Sequence, residues 1–362
     1  MSSRIESITT RIVALPLEES IPHPFMGART QKATLIVQVH TSDGCTGFGY
    51  AAIESTAFVG VVGSIVNELA VALKGQDPAR RAFIYERMWS LTVDLLHEGA
   101  SNLALAAIDF ALWDIAGQQA GMPLWKLLGG FRDKVPAYAS WTLWRHHSID
   151  RLEKDSAAIV AQGYRAMKMR MGNRTLAEDM ERARAVRRGA GPDAEIMVDA
   201  LWGLSATDGV RMARALEEIN CSWLEEPVRE GDFAGLAQAR AAQAVPIAAG
   251  ERISRVAHLP TLIPVIDHAI IDVAHIGGIT PWLKAAALLD MHNLPISAHS
   301  HGLVHMHLLA STRTGAWIEW MPWLDALFVD PPQPRDGWFH LGEKPGLGLT
   351  LDEAALQRYA VK

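Results

Sequence analysis

Cysteine is scarce in this chain: only Cys45 and Cys221 occur among 362 residues. Two thiols cannot build a disulfide framework, and their scarcity fits a reducing cytosol. Positive charge is not in excess either. Lys and Arg number 34 against 40 Asp and Glu, for a net charge of −6. That balance speaks against nucleic acid or an anionic membrane as partner. No apolar run approaches the roughly 20 residues of a membrane span. The opening MSSRIESITTRIVALPLEE lacks the apolar core of a signal peptide. Low-complexity tracts and long linkers are also missing. The expectation left standing is a soluble cytoplasmic protein. Its composition, 49% hydrophobic, is enough for one large domain or two.

What is present falls into two textures. The first part reads as α+β. ITTRIVALPL and KATLIVQVHT are strand-like, and Asp43-Gly44 marks a hairpin turn. Three helical patterns follow, near 57–73, 79–96 and 102–120. The last is apolar on nearly every face, which predicts burial, and Asp109 and Asp114 interrupt it. From about residue 135 short apolar runs alternate with amphipathic helical stretches: VPAYAS, YRAMKM, EIMVDA, CSWLEE, VPIAAGE, HAIIDV, LPISAH and AWIEW. Eight strands alternating with helices predict an α/β protein with a parallel sheet closed into a (β/α) barrel. The eighth strand runs into Pro-rich MPWLDALFVDPPQPRDG instead of a helix, so the tail is expected to leave the barrel and pack on the first domain. The predicted boundaries are 1–130 for an N-terminal α+β domain, 131–324 for the barrel and 325–362 for the returning tail.

Three successive barrel strands end in a carboxylate. Asp199 closes IMVD, Glu225 and Glu226 close WLEE, and Glu251 closes AAGE; Asp199 to Glu225 and Glu225 to Glu251 are each 26 residues. Acids after strands also serve as helix N-caps. Three at equal spacing, on adjacent strands, converge instead on one rim of the barrel. Unpaired they would repel one another, and a hard divalent cation, Mg²⁺, resolves the conflict. Only one of Glu225 and Glu226 can face inward. Further on, Asp272 ends one strand, His299 ends the next and Glu319 lies on the last. Asp272 can hold one nitrogen of His299 and leave the other as a general base. A zinc cluster of His301, His305 and His307 is the weaker reading, because only their closeness supports it. In AMKMRMG the alternation of a strand sends Lys168 and Arg170 to one face, where something anionic must sit opposite.

Together these residues resemble the enolase superfamily, in its mandelate racemase-like subgroup. The likeness spans nearly the whole chain, including ALAAIDFALWDIAGQQAGMPLWKLLG at 104–129. The resemblance implies a capping domain over a (β/α)7β modified TIM barrel, and Mg²⁺ held by Asp199, Glu225 and Glu251. It selects Glu225 over Glu226, pairs Asp272 with His299, and assigns Glu319 to the substrate carboxylate. KMR falls at the family's Lys-x-Lys position. Activities of this family begin by removing a proton α to a carboxylate. Arg170 replaces the second lysine and, being always protonated, is a poor base. Leu201, two residues after the first ligand, stands where relatives often carry a polar residue, and Trp202 follows it.

The expected reaction is therefore dehydration of a sugar acid to its 2-keto-3-deoxy product, with His299 as base and then as acid. Racemisation or epimerisation, with Lys168 as second base, is the alternative, and lactone cycloisomerisation the third. A protonated Glu319 is expected beside Lys168. A non-catalytic barrel would have lost its ligands or its base, and this chain has kept both. IPHPFMGARTQ, between the first two strands, is expected to fold over the barrel mouth. His23, Phe25, Met26 and Arg29 on it, with Trp141, Trp144 and Trp202, are candidates for contact with a small carboxylate substrate. Relatives commonly assemble from several subunits, so a homo-oligomer is expected.

Overall fold

The computed structural model describes residues 3–23, 27–53, 55–172 and 174–361, without the side chain of His23. The N-terminal part is an antiparallel sheet of β1 (Ile5–His23), β2 (Gly27–Thr41) and β3 (Thr46–Ile53). The β1–β2 hairpin runs longer than its sequence suggests. Arg29 pairs with Ile21 and Lys32 with Leu15, across an irregularity between Pro16 and Ile21. The stretch expected to fold over the mouth is thus mostly strand, because residues 21–23 pair with 27–29 and Gln31 with Pro16; Pro24, Phe25 and Met26 lie outside the described residues.

Helices α1 (Thr56–Leu73) and α3 (Ala100–Ala120) pack on this sheet, and α2 (Arg81–Leu91) packs on α3 and α1. By length and apolar composition α1 could cross a membrane, so it comes nearer to a span than the sequence reading allowed. Here its Val59, Val62, Val66, Leu69 and Leu73 are buried. α3 is buried on nearly all sides, as its sequence predicts. It lies directly on β3: a Cβ added to Gly49 would meet the Ala107 carbonyl at 2.0 Å, so only glycine permits the approach. Its two aspartates are ties between parts of the fold. Asp109 accepts from Thr280 N and Oγ1, both at 2.7 Å, and Asp114 accepts from Phe48 N and Leu347 N.

After the short α4 (Leu124–Leu127) the barrel begins. Its strands and helices are β4 (Lys134–Ala139), α5 (Ile149–Ala161), β5 (Ala166–Arg170), α6 (Leu176–Ala190), β6 (Glu195–Asp199), α7 (Ala206–Leu216), β7 (Cys221–Glu225), α8 (Phe233–Ala241), β8 (Ile247–Ala249), α9 (Leu259–Leu262), β9 (His268–Ile271), α10 (Ile279–Met291), β10 (Ile296–Ala298), α11 (Gly302–Ala310) and β11 (Ile318–Trp320). Several helices start on a sequence-encoded cap: Ser148, Thr175, Ser205 and Asp232 each accept a backbone N–H of the first turn. Strands β4 to β10 pair in sequence order, all parallel, and β11 pairs with β4. The ring closes where Ala316 N donates to Ile296 O at 2.7 Å and Ala298 N to Trp317 O at 2.9 Å. All eight predicted runs are strands among the described residues.

The chain then turns back. β12 (Trp338–His340) adds antiparallel to β4, and after α12 (Glu353–Arg358) the backbone of Tyr359 and Val361 bonds to β1 at Ala14 and Ile12. The tail therefore touches both the barrel and the first sheet.

Candidate active site

The barrel interior is plugged by one layer of side chains: Tyr138, Ala166, Met197, Trp223, Ala248 and Ile270, with Trp317 against them. Side chains of a strand return to the same face every second residue. Two residues beyond the plug, toward the C-terminal rim, stand Ser140, Lys168, Asp199, Glu225, Gly250, Asp272 and Glu319. One pleat thus lifts the chain from an apolar plug to a polar floor. At β8 the pleat position is Gly250, whose φ of +124° excludes a side chain, and the next residue, Glu251, supplies the carboxylate. Leu201, Trp202, Glu226, Ser300 and His301, all at this rim, also hold left-handed φ. Such strain clusters at functional sites.

Lys168 and Arg170 share a face, as the alternation predicts. The Lys168 ammonium lies 2.8 Å from Glu319 Oε1, 2.9 Å from Glu225 Oε1 and 3.6 Å from Asp199 Oδ2. Burial disfavours its charge, but Glu225 and Glu319 outweigh that and hold its pKa well above the ordinary value. Arg170 donates to the Ser140 carbonyl and to Ser140 Oγ, both at 2.7 Å. Ser140 Oγ donates in turn to Glu319 Oε1 at 2.6 Å. Burial would neutralise Glu319, yet Lys168, His299 and Arg170 keep it ionised, well below the usual carboxylate range. These cations favour the charged form of Glu319, against the proton expected there.

Register places Asp199 opposite Glu225, and Arg170 opposite Asp199. Glu225 is fully buried; burial first, then Asp199, Glu319 and Glu251, raise it to about 7, with Lys168 acting against them. Glu226 turns the other way. It accepts from Gly250 N at 2.8 Å and from Trp202 Nε1 at 3.1 Å, and burial and Glu251 push it to about 8. Glu251 Oε2 faces His299 Nε2 at 3.3 Å. The donors Asp199, Glu225 and Glu251 are all oxygens and all buried, and their mutual repulsion is only partly offset by Lys168. That set fits a hard divalent cation such as Mg²⁺.

Asp272 and His299 meet across adjacent strands. Asp272 Oδ2 accepts from His299 Nδ1 at 2.6 Å, and Oδ1 accepts from Ala274 N and His275 N at 2.7 and 2.8 Å. Burial opposes the Asp272 charge, but His275, His301 and His299 hold its pKa well below the ordinary value. Burial pulls His299 down, while Glu251 and then Asp272 outweigh it and push His299 up to about 10. His275 stands beside this pair, its Nδ1 3.7 Å from Asp272 Oδ2, whereas among the described residues His301, His305 and His307 do not come together as a zinc cluster. His305 Nε2 accepts from Val273 N, and His307 bonds to Trp125 N and Leu347 O. His301 lies against the Tyr50 ring, 3.9 Å from Asp272.

Of the candidates for substrate contact, Arg29 lies on β2, partly buried, close enough to Arg170 for their charges to repel. Trp141 packs edge-on against Tyr164, 5.1 Å away, in a side cavity of about 460 Å³ with β1 and α5. Trp202 stacks on Arg252 beside a cavity of about 810 Å³ under α1. The side chain of His23 lies outside the described residues. Three residues were not singled out for their roles by the sequence reading. Ser140 ends the first barrel strand just as the acids end theirs, so the strand-end rule applied there would have found it. Lys32 and Trp323 carry no such signal, because only the fold brings β2 and the post-barrel turn to the mouth.

Comparison with known proteins decides the family. Residues 7–129 match the mandelate racemase / muconate lactonizing enzyme N-terminal domain, and residues 151–355 match the enolase C-terminal domain-like family. The chain belongs to the mandelate racemase / muconate lactonizing enzyme family of the enolase superfamily. Within it, the chain is 32% identical over 359 residues to L-talarate/galactarate dehydratase of Salmonella typhimurium, covering 97% of this chain and 90% of that one. It is 31% identical to 3,6-anhydro-alpha-L-galactonate cycloisomerase of Streptomyces coelicolor, with 99% of both covered. The Salmonella dehydratase crystallised with Mg and L-lyxarohydroxamate superposes with a TM-score of 0.95 at 31% identity, over 100% of this chain and 94% of that one. A racemase from Streptomyces coelicolor crystallised with bound magnesium superposes with a TM-score of 0.93 at 31% identity, over 99% of this chain and 100% of that one.

Proposed function

We propose that this chain is a Mg²⁺-dependent sugar acid dehydratase that removes the proton α to a carboxylate and expels the β-hydroxyl. The observation that carries the proposal is a half-buried histidine base paired with a carboxylate, with an arginine in place of a second base. His299 is held by Asp272 at 2.6 Å, and the opposite position is Arg170, locked onto Ser140. Asp199, Glu225 and Glu251 would hold the metal. When bound, it supplies positive charge beside the substrate carboxylate, where a second negative charge develops as the α-proton leaves.

The remaining work falls to the chain's own groups. Asp272 keeps the Nδ1 proton of His299, so that Nε2 is the nitrogen able to accept the α-proton. The imidazolium so formed is stabilised by Asp272 and can return its proton to the departing β-hydroxyl on the same face. Lys168 stands with its proton where the carboxylate charge grows; one such preorganised donor contributes about 2.7–4 kcal/mol to a barrier. Glu319 and Ser140 fix Lys168 and Arg170, and on binding a substrate carboxylate Glu319 becomes the group best placed to take up a proton between the two anions. Lys168 as a second base, needed for racemisation, would have to give up a proton that Glu225 and Glu319 hold. Cycloisomerisation uses the same α-proton removal with a ring oxygen as leaving group; the Streptomyces coelicolor relative makes it the second reading.

The division 1–130, 131–324 and 325–362 belongs to the same proposal, the first part capping the mouth and the last tying cap to barrel. Assembly from several copies also belongs to it, and the exposed Phe58, Val61 and Val71 on α1 support it. The decisive experiment is a panel of sugar acids and 2-hydroxy acids with Mg²⁺ in D₂O. Loss of one water with appearance of a keto acid is expected. Deuterium uptake without loss of water would make the chain a racemase. His299→Asn should abolish either reaction, and surviving turnover would refute the base assignment.

A further inference from the structure

The cations at the mouth extend beyond the polar floor. The Arg170 guanidinium lies 4.1 Å over the Trp144 ring. Trp144 stacks near-parallel on Trp323, with centroids 6.4 Å apart and planes at 15°. The Lys32 ammonium lies 5.1 Å over Trp323. Two aromatic plates thus run from the catalytic floor to β2, with a cation at each end. Arg29, three residues before Lys32, adds a third charge. Among the described residues, Lys32 has no carboxylate in an ion pair. The acids whose fields reach it, Asp272 and Glu319, are committed elsewhere: Asp272 to His299 and two backbone N–H groups, Glu319 to Lys168, Ser140 and Ser300. Burial, and then Arg29, pull the Lys32 pKa down to about 8, so holding this charge in place costs stability that a second anion would restore.

We infer that Lys32, with Arg29 beside it, is a subsite for the far carboxylate of a diacid, so that the substrate is a sugar acid carrying carboxylates at both ends. This rests on the proposed α-proton chemistry, which fixes the near carboxylate at Lys168 and Glu319. The polyol chain then crosses the mouth between the two carboxylate sites, and the stacked rings of Trp144 and Trp323, each covered by a cation on its outer face, hold Arg170 and Lys32 in place.

The test separates this inference from the reaction it rests on. The first arm compares 2-hydroxyadipate with 2-hydroxyhexanoate by calorimetry on the Mg²⁺-loaded protein. The two probes differ only in the far carboxylate, and neither has a β-hydroxyl to lose. Wild type should prefer the diacid by about tenfold or more, the scale of one charge-assisted contact. Lys32→Met should bring that ratio close to one, and Lys32→Arg should retain most of it. Equal binding of the two probes by wild type, or a Lys32→Met ratio still near the wild-type value, would overturn the subsite. The second arm compares turnover of galactarate and galactonate. If neither these nor any other sugar acid of the panel reacts while the diacid preference persists, the dehydratase reading fails and the subsite stands. If galactonate reacts as fast as galactarate at subsaturating concentration, the subsite fails and the chemistry stands.

Discussion

Asp272→Asn is the substitution that most directly tests how His299 is made into a base. In the native chain Asp272 Oδ1 receives two backbone N–H groups, from Ala274 and His275, and Oδ2 receives His299 Nδ1. An asparagine keeps its carbonyl oxygen on the two backbone donors, which leaves its NH₂ facing the imidazole. A donor there obliges Nδ1 to accept, and the ring proton moves to Nε2, the nitrogen that has to receive the α-proton. Turning the amide over would restore the tautomer, but it would set two buried N–H groups against a donor. Each such unsatisfied group costs about 1–3 kcal/mol. The sum, about 2–6 kcal/mol, corresponds to a loss of about 30-fold to about 2 × 10⁴-fold in kcat, a range that includes the roughly 10⁴-fold seen when an asparagine forces a catalytic histidine into the wrong tautomer. Removing the Asp272 charge also lowers the pKa of His299, so any residual activity should keep its acid limb at a lower pH than wild type. The assay is keto-acid formation together with exchange of the α-hydrogen in D₂O, at several pH values. Because the asparagine still accepts both backbone bonds, the melting temperature should move by only a few degrees. A variant that turns over within threefold of wild type, with an unmoved pH profile, would refute the assignment.

Two further predictions rest on burial and charge. With Mg²⁺ removed by a chelator, proton exchange should stop and the imidazole of His299 should titrate near 10, because Glu251 at 3.3 Å favours its charged form. Adding Mg²⁺ should move that titration to lower pH as the Glu251 charge is drawn to the metal, which NMR of the ring protons can follow. On stability, burial lifts Asp109 to about 6 in the fold despite its bonds to Thr280, against about 3.9 unfolded. The native state then binds the extra proton between those values, so the stability from this group is full below about pH 4 and falls by roughly 3 kcal/mol by about pH 6. Denaturant unfolding of Asp109→Asn should lack that part of the slope, and identical slopes for variant and wild type would exclude it.

Most of the barrel was legible because its rule is local. Each short apolar run with a helix behind it is a strand, and an acid at its end points to the rim. Strand alternation alone put Lys168 and Arg170 on one face, and the Asp272–His299 contact followed from the order of adjacent strands. What sequence did not yield depends on contacts between distant segments. Both strands of the first hairpin are legible, but not how far they extend, because the turn residues Pro24 and Gly27 outweigh the strand character of residues 28–31 in any short window. The ionised state of Glu319 depends on Lys168 approaching from another strand to 2.8 Å, a distance no motif encodes.

The plug layer offers a stronger rule than the acid count. If residue i of a barrel strand is buried among its counterparts, residue i+2 stands on the site floor. Applied to Tyr138, Ala166, Met197, Trp223, Ala248, Ile270 and Trp317, that rule yields Ser140, Lys168, Asp199, Glu225, Gly250, Asp272 and Glu319 without reference to any family. It also decides between neighbours that composition leaves tied. Trp223 places Glu225 inward and Glu226 outward, and Glu226 meets Trp202 and Gly250 on the far side. The chemistry of this site is therefore set by the same two-residue period that fills the barrel with apolar side chains, and a one-residue slip in any of these strands would exchange floor for wall.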